Sequence, residues 1–257
     1  MCELYGFSGI RKKRLNKDLE EFFSHSNENP DGWGLATFSP EQIRVEKGKE
    51  AAHRSEKLKT ILQKKIEAPQ ALAHIRLATI GYEEYHNSHP FWGCDDSGRM
   101  WTLVHNGTIF EGDSLGEYVF FQKGSTDSER IYLYLIHEIN RAIHEKNRPL
   151  TKEERFQVLE RIAGELSPKN KLNLLIYDGD LLYVHSNFKE SLYQKKDEEG
   201  VTFSTKPLDD GNWETVPFAR LLAFEKGSCV FTGKEENAEY IPDEKSIRAL
   251  YLAYSGL

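Results

Sequence analysis

Cysteine stands second in this chain, where loss of Met1 would turn its own amine into the chain terminus. An α-amine with a pKa of about 7.7–8.0 can accept a proton near neutral pH. A cysteine so placed can therefore use its own amine as general base, directly or through water, with no histidine partner. Taken alone, the plainer reading of Cys2 as merely a second residue prevails. Four polar clusters lie between apolar segments: Asn29-Pro30-Asp31-Gly32-Trp33-Gly34, His74-Ile75-Arg76-Leu77-Ala78-Thr79-Ile80-Gly81, Asn87-Ser88-His89-Pro90-Phe91 and His105-Asn106-Gly107-Thr108. Sites are built at such strand ends and turns, but so are turns themselves.

Each cluster carries two readings. Asn106-Gly107 follows a strand expected over Trp101 to Val104, and the dipeptide by itself favours a type I′ hairpin turn. The alternative is an oxyanion hole, with the Asn106 amide and the Gly107 N–H donating to a developing negative oxygen. Arg76 sits in a segment where Ala71, Ala73, Ile75 and Leu77 alternate with Leu72 and His74. Its guanidinium is either on a solvated strand face or held to grip a carboxylate through two parallel hydrogen bonds. Asp127 directly follows the expected helix cap Thr126, where the macrodipole favours a carboxylate; accepting a substrate ammonium is the other role. His86 and His89 have a metal-like spacing, but no matching Cys or His pair and no HExxH accompany them, so they read as structural or loop histidines. No metal and no cofactor are expected. Cys94 and Cys229 read as ordinary buried or half-buried thiols, and the Asn106-Gly107-Thr108 sequon as chance.

Four helices and many short strands must position these groups. Leu15, Leu19, Phe22 and Phe23 form the stripe of a first helix; Leu58, Ile61, Leu62 and Ile66 form that of a second, which Pro69 is expected to end. Thr126 with Glu129 reads as a capping box opening a third, carrying Ile131, Leu135, Ile139, Ala142 and Ile143. Thr151 with Glu154 opens a fourth, carrying Phe156, Leu159, Ile162 and Leu166 and stopped by Pro168. Leu174 to Tyr177, Asp178-Gly179 and Leu181 to Val184 form a hairpin signal, with further hairpins expected around Glu199-Gly200 and Lys226-Gly227. Short hairpins join only antiparallel strands, so the class is α+β. Absent strand–helix alternation, GxGxxG and Walker A patterns argue against a doubly wound nucleotide binder.

The chain has 257 residues, 39% hydrophobic and 12% aromatic, enough for a core without disulfide staples. No repeat or linker divides it, so a single domain over 1–257 is expected. Three cysteines are too few and too odd for a secreted framework. With 34 basic against 41 acidic residues, a net charge of −7 weakens any nucleic-acid role, and the basic run Arg11-Lys12-Lys13-Arg14 reads as a solvated loop. No apolar run approaches the ~20 residues of a membrane span, and no signal peptide opens the chain. A soluble, reducing, cytoplasmic setting is expected.

Taken in order, six pieces resemble the class-II glutamine amidotransferases, a branch of the N-terminal-nucleophile hydrolases. They are Met1-Cys2-Glu3-Leu4-Tyr5-Gly6, Asp31-Gly32-Trp33-Gly34, His74-Ile75-Arg76-Leu77-Ala78-Thr79, Asn87-Ser88-His89-Pro90-Phe91, His105-Asn106-Gly107 and Thr126-Asp127-Ser128-Glu129. Ser204-Thr205-Lys206-Pro207-Leu208-Asp209-Asp210, with Trp213 and Val216-Pro217, looks like a signature of stand-alone members. The resemblance implies a four-layer αββα sandwich. It implies Cys2 as nucleophile, forming a thioester with a γ-carboxamide, and Asn106 and Gly107 as oxyanion hole. Arg76 and Thr79 would hold the α-carboxylate and Asp127 the α-ammonium, while Asp31, Gly32, Trp33, His74 and His89 would shape the site.

The function so implied is a stand-alone glutamine amidohydrolase releasing glutamate and ammonia, with a separate synthase subunit as a candidate partner. A hydrolase of larger γ-glutamyl amides or peptides is the alternative, and a non-catalytic partner subunit the third reading. Two departures stand out. Synthase-linked members often carry Trp and His where this chain has Leu77 and Ile80, and Lys206 replaces an acidic residue frequent in stand-alone relatives.

Overall fold

Short strand-forming segments dominate the chain, and in space they pair into two sheets. The structure is a computed structural model describing residues 2–40, 42–243 and 245. Its elements, in order, are β1 (Glu3–Arg14), α1 (Asn16–Ser24), β2 (Trp33–Phe38), β3 (Ile43–Gly48), α2 (Glu56–Leu62), β4 (Glu67–Ile75), β5 (Phe91–Cys94) and β6 (Met100–Thr108). Then follow α3 (Asp127–Lys146), α4 (Lys152–Leu166), β7 (Lys171–Tyr177), β8 (Leu182–Ser186), β9 (Tyr193–Asp197), β10 (Gly200–Ser204), β11 (Glu214–Thr215), β12 (Leu222–Glu225) and β13 (Ser228–Thr232). One sheet runs β11-β9-β10-β1-β4-β2-β3 and the other β13-β12-β8-β7-β6-β5, with every pairing antiparallel.

Alternation along the strands decides the layers, because successive side chains point to opposite faces. Leu4, Leu72, Val104, Leu175, Val184 and Phe203 meet between the two sheets. Tyr5, Trp33, Ala73 and Ile75 face the other way, into a core shared with Leu19, Phe22 and Phe23 of α1 and Leu58 of α2. Leu103, Leu174 and Ile176 of the second sheet pack on Ile131, Leu135 and Ile139 of α3 and Phe156, Leu159 and Ile162 of α4. The result is the four-layer αββα sandwich of α+β class that the resemblance implies.

Several local expectations are corrected. Asn106-Gly107 is no turn: both residues lie inside β6, opposite Asn173 and Leu172 of β7. Pro69 does not end the second helix, which stops at Leu62; it lies in β4. A proline is tolerated there because β1 slips register between Ser8 and Lys13, opposite it, and pairing with β2 begins only at Gln70. The Thr126–Glu129 capping box is half formed: Thr126 accepts the Glu129 N–H, but the Glu129 carboxylate turns to the Lys123 and Gly124 N–H groups. The Thr151–Glu154 box is complete. Arg11 to Arg14 belong to the end of β1 rather than to a loop. Cys94 and Cys229 are exposed, not buried. No helix among the described residues is long and apolar enough to cross a membrane.

Candidate active site

Register brings Cys2, Asp31-Gly32 and Arg76 to one end of the first sheet. Glu3 of β1 and Trp33 of β2 both pair with Ile75, the last residue of β4. Cys2 therefore faces the segment that leaves β4, and its Sγ lies 3.2 Å from the Leu77 carbonyl and 3.3 Å from the Leu77 N–H. Asp31 and Gly32 flank Arg76 from the other side: the Asp31 N–H donates to the Arg76 carbonyl at 2.9 Å, and the Arg76 N–H donates to Gly32 O at 2.8 Å. The Asp31 carboxylate then accepts the Ala78 N–H at 2.7 Å, fixing the start of the following loop.

Arg76 is 3% exposed, so the solvated strand face is excluded. Its guanidinium donates to backbone carbonyls throughout: Ile80 at 2.9 Å, Gly81 at 3.0 Å, Tyr82 at 3.1 Å and Asp31 at 3.4 Å. The loop from 77 to 84 is thus wrapped around this cation. Asn87 fastens the same loop from outside, donating to Tyr82 O at 2.8 Å and to Ser125 Oγ at 3.0 Å. Burial lowers the Arg76 pKa, against which Cys2, Asp31 and Asp127 act electrostatically.

The second sheet supplies the facing wall. Asn106 and Gly107 lie just before the last residue of β6, and Asp127 opens α3. Asp127 accepts the Ile109 N–H at 2.8 Å and the Ser128 N–H at 2.9 Å, so it ties the first turn of its helix to the chain leaving β6. Lys171, the first residue of β7, extends its Nζ to Asn106 Oδ1 at 3.3 Å. Thr79 Oγ1 and Thr108 Oγ1 approach to 3.5 Å.

Buried histidines tie the sheets beneath this end. His74 Nε2 lies 3.2 Å from the His105 carbonyl, which can only accept, so the neutral His74 ring carries its proton on Nε2. Desolvation first, and Arg76 second, push the His74 pKa down to about 3. His89 packs at a tilt against His74 with ring centroids 3.9 Å apart, and desolvation holds its pKa well below the ordinary value. His105 Nε2 donates to Lys171 O at 3.3 Å, and its Nδ1 lies 2.9 Å from Ser128 Oγ. His86 is exposed and takes no part, and no group of three metal-capable side chains occurs among the described residues.

Around Cys2 the dominant electrostatic effect is desolvation, which raises the thiol pKa. The Leu77 hydrogen bond, Arg76, the amino terminus and Lys171 pull it back in that order. A thiol in this setting rests protonated and needs a base to become a nucleophile.

A family model for class-II glutamine amidotransferases matches residues 1–194. The chain belongs to the class-II glutamine amidotransferases. A Haemophilus influenzae protein provisionally assigned as a glutamine amidotransferase is 26% identical over 263 residues, covering 94% of this chain and 84% of its own. Escherichia coli YafJ, assigned in the same provisional way, is 29% identical over 192 residues, 70% of each chain. In fold, the chain is similar to the glutamine phosphoribosylpyrophosphate amidotransferase of B. subtilis, with TM-score 0.61 at 17% identity, over 89% of this chain and 48% of that one.

In this amidotransferase chain, Cys2, Asp31, Gly32, Arg76, Thr79, Asn106, Gly107 and Asp127 gather at one end of the sandwich, with His74 and His89 beneath them. Trp33 is the exception. It lies on the outer face of its sheet, edge-on to Phe23, and donates from Nε1 to Glu50 at 3.2 Å. Lys206 pairs with Glu3 at 2.8 Å and Glu28 at 3.1 Å. Thr205 exchanges hydrogen bonds with Leu4: its Oγ1 takes the Leu4 N–H at 3.0 Å, and its own N–H donates to Leu4 O at 3.2 Å. The C-terminal signature thus anchors β1, the strand that follows Cys2. Lys171 escaped the sequence reading. Pairing β6 with β7, which places Thr108 opposite Lys171, was the signal that could have found it.

Proposed function

We propose that this class-II amidotransferase domain hydrolyses the γ-carboxamide of glutamine through a Cys2 thioester once Met1 has been removed. The observation that carries the reading is the convergence of Cys2, Arg76, Asn106, Gly107 and Asp127 from two sheets and a helix, bridged by the His74–His105 and Thr79–Thr108 contacts and by the action of Cys2 and Asp127 on Arg76.

The freed α-amine of Cys2 takes the thiol proton, which the raised thiol pKa makes necessary. Sγ attacks the γ-carbonyl carbon and a C–S bond forms. The carbonyl electron pair moves onto oxygen, where Asn106 Nδ2 and the Gly107 N–H receive it. Collapse breaks the C–N bond as the amine returns its proton to the leaving nitrogen, releasing ammonia. Water then cleaves the thioester to glutamate.

Arg76 and Thr79 take the α-carboxylate and Asp127 the α-ammonium. For Arg76 this requires exchanging carbonyls of the 80–82 loop for the carboxylate, so substrate binding and loop rearrangement are one event. Residues 1–257 form one glutamine-side domain, a reading supported by β10, β12 and β13, which complete the same two sheets beyond the matched 1–194. The free thiols of Cys94 and Cys229 suit a reducing cytoplasm, and a synthase subunit is the natural recipient of the ammonia.

Glutamate release by the Met1-processed protein, assayed on glutamine and a panel of larger γ-glutamyl amides, tests the reading. Turnover abolished by Cys2→Ala, with mass-detected acyl-enzyme in the wild type, is expected. An intact processed protein releasing no glutamate from any of these compounds overturns it.

A further inference from the structure

Both oxyanion donors of the proposed site are set by a single residue of the neighbouring strand. The carbonyl of Lys171 lies where a Cβ on Gly107 would be, 1.8 Å from it, so the backbone of β7 presses directly on the Gly107 Cα. The same carbonyl accepts from His105 Nε2 at 3.3 Å, fixing the residue before Asn106. The Lys171 side chain turns into the site and its ammonium donates to Asn106 Oδ1 at 3.3 Å. An ammonium has donors only. It therefore selects the carboxamide orientation in which oxygen faces β7 and the NH₂ end is free for a substrate oxygen.

We propose that Lys171 is a positioning residue for the glutamine amidohydrolase reaction, orienting the Asn106 amide for the oxyanion and supplying positive charge that favours the Cys2 thiolate. The inference rests on the amidohydrolase reading but adds a residue to it. Lys171 is only 5% exposed, and its Nζ also lies 4.9 Å from the centre of the Phe188 ring. Burying an ammonium is costly, and desolvation pushes the Lys171 pKa down to about 8. The negative charge of a Cys2 thiolate acts against that loss. The groups acting on Cys2 are Arg76 from the end of β4, the amino terminus, and Lys171 from β7; Asp31 and Asp127 act on Arg76 in turn. Lys171 also touches an oxyanion donor, so it couples thiolate formation to oxyanion stabilisation.

The test uses Met1-processed protein with Lys171→Met, which keeps length and loses charge, and Lys171→Arg, which keeps charge. The first readout is the pH profile of Cys2 alkylation by iodoacetamide, followed by mass of the N-terminal peptide so that exposed Cys94 and Cys229 do not interfere. Lys171→Met is expected to move the midpoint up by about one pH unit, the effect of losing one nearby opposite charge. Lys171→Arg is expected to hold it near wild type. The second readout is glutamine hydrolysis: kcat falls about 10- to 100-fold in Lys171→Met with KM little changed, and Lys171→Arg recovers part of it. A folded Lys171→Met protein with an unmoved alkylation midpoint and wild-type kcat overturns the inference. If wild type hydrolyses no γ-glutamyl compound, the amidohydrolase reading fails, while the alkylation profile still decides whether Lys171 governs the Cys2 thiolate.

Discussion

The Lys171 carbonyl and the Gly107 Cα are in such close approach that a Cβ on residue 107 would stand 1.8 Å from the oxygen. Glycine is required here by a neighbouring backbone, not by a turn, since Gly107 lies within the β6–β7 ladder. Gly107→Ala must push the strands apart where the proposed oxyanion donor sits. A loss of about 1–3 kcal/mol is expected from overpacking. Displacing that donor is expected to lower kcat by about 10²–10³. Unfolding and glutamine turnover measured together check both; near-wild-type turnover would remove Gly107 from the oxyanion hole.

Arg76→Lys separates the charge from the fork. The guanidinium serves carbonyls of Asp31, Ile80, Gly81 and Tyr82, a spread that a single ammonium cannot cover. Carbonyls left without donors should cost about 1–3 kcal/mol. The 77–84 loop should then exchange its amide hydrogens faster while the β4 core stays protected. KM for glutamine is expected to rise much more than kcat falls, because the proposed role of Arg76 is to bind. Unchanged exchange in the loop would mean that Asn87 and Asp31 suffice to hold it.

The layers were legible in the sequence because alternating and helical periodicities report burial directly: Leu15 to Phe23, Ile131 to Ile143 and the Asp178-Gly179 hairpin all stand where their patterns place them. The site was legible mainly through the ordered motif series. Residue by residue, the local readings misled where a tertiary partner decided the outcome. Asn106-Gly107 has the composition of a turn, yet β7 pairs across it. Pro69 has the composition of a stop, yet a register slip in β1 makes room for it. Arg76 gave no sign that its ligands are carbonyls of its own loop, because those bonds depend on how residues 80–82 fold back.

Lys206 meets Glu3, a carboxylate 2% exposed and next to Cys2 in the chain, and the departure from an acidic residue here has a local logic. Glu3 also takes His25 Nδ1 at 2.8 Å, so Lys206→Ala removes one of its partners. Because the lysine is about half exposed, a cost of no more than about 1 kcal/mol is expected. Lys206→Glu instead adds a third carboxylate to Glu3 and Glu28, and its thermal midpoint should fall further than that of Lys206→Ala. Equal midpoints for the two variants would show that the Glu3 pairing carries no weight.

Buried histidines set how the fold responds to acid. Desolvation is the largest cause in each case: His74 is brought down to about 3 and His185 to about 4, with His89 and His105 also lowered. An unfolded histidine titrates near 6.5. Between that pH and the folded values the unfolded chain binds protons that the folded chain refuses. The stabilisation is therefore present above about pH 6.5 and drains away as the pH falls. Glu236 works the other way. Desolvation raises its pKa to about 7, so its contribution is held at low pH and lost as the pH rises through 7. Near pH 5.5 the protons that His74 and His185 refuse outnumber the one that Glu236 retains, and the lowered His89 and His105 act in the same direction, so stability falls as the pH falls. Urea unfolding from pH 7 to 5 should show a steep loss of stability. His185→Gln, which deletes a titrating ring bonded to Ser167 away from Cys2, should reduce the slope by about 1.4 kcal/mol per pH unit whatever it does to stability at pH 7. A flat stability profile between pH 6.5 and 5 would mean that these rings find protons, or water, inside the fold.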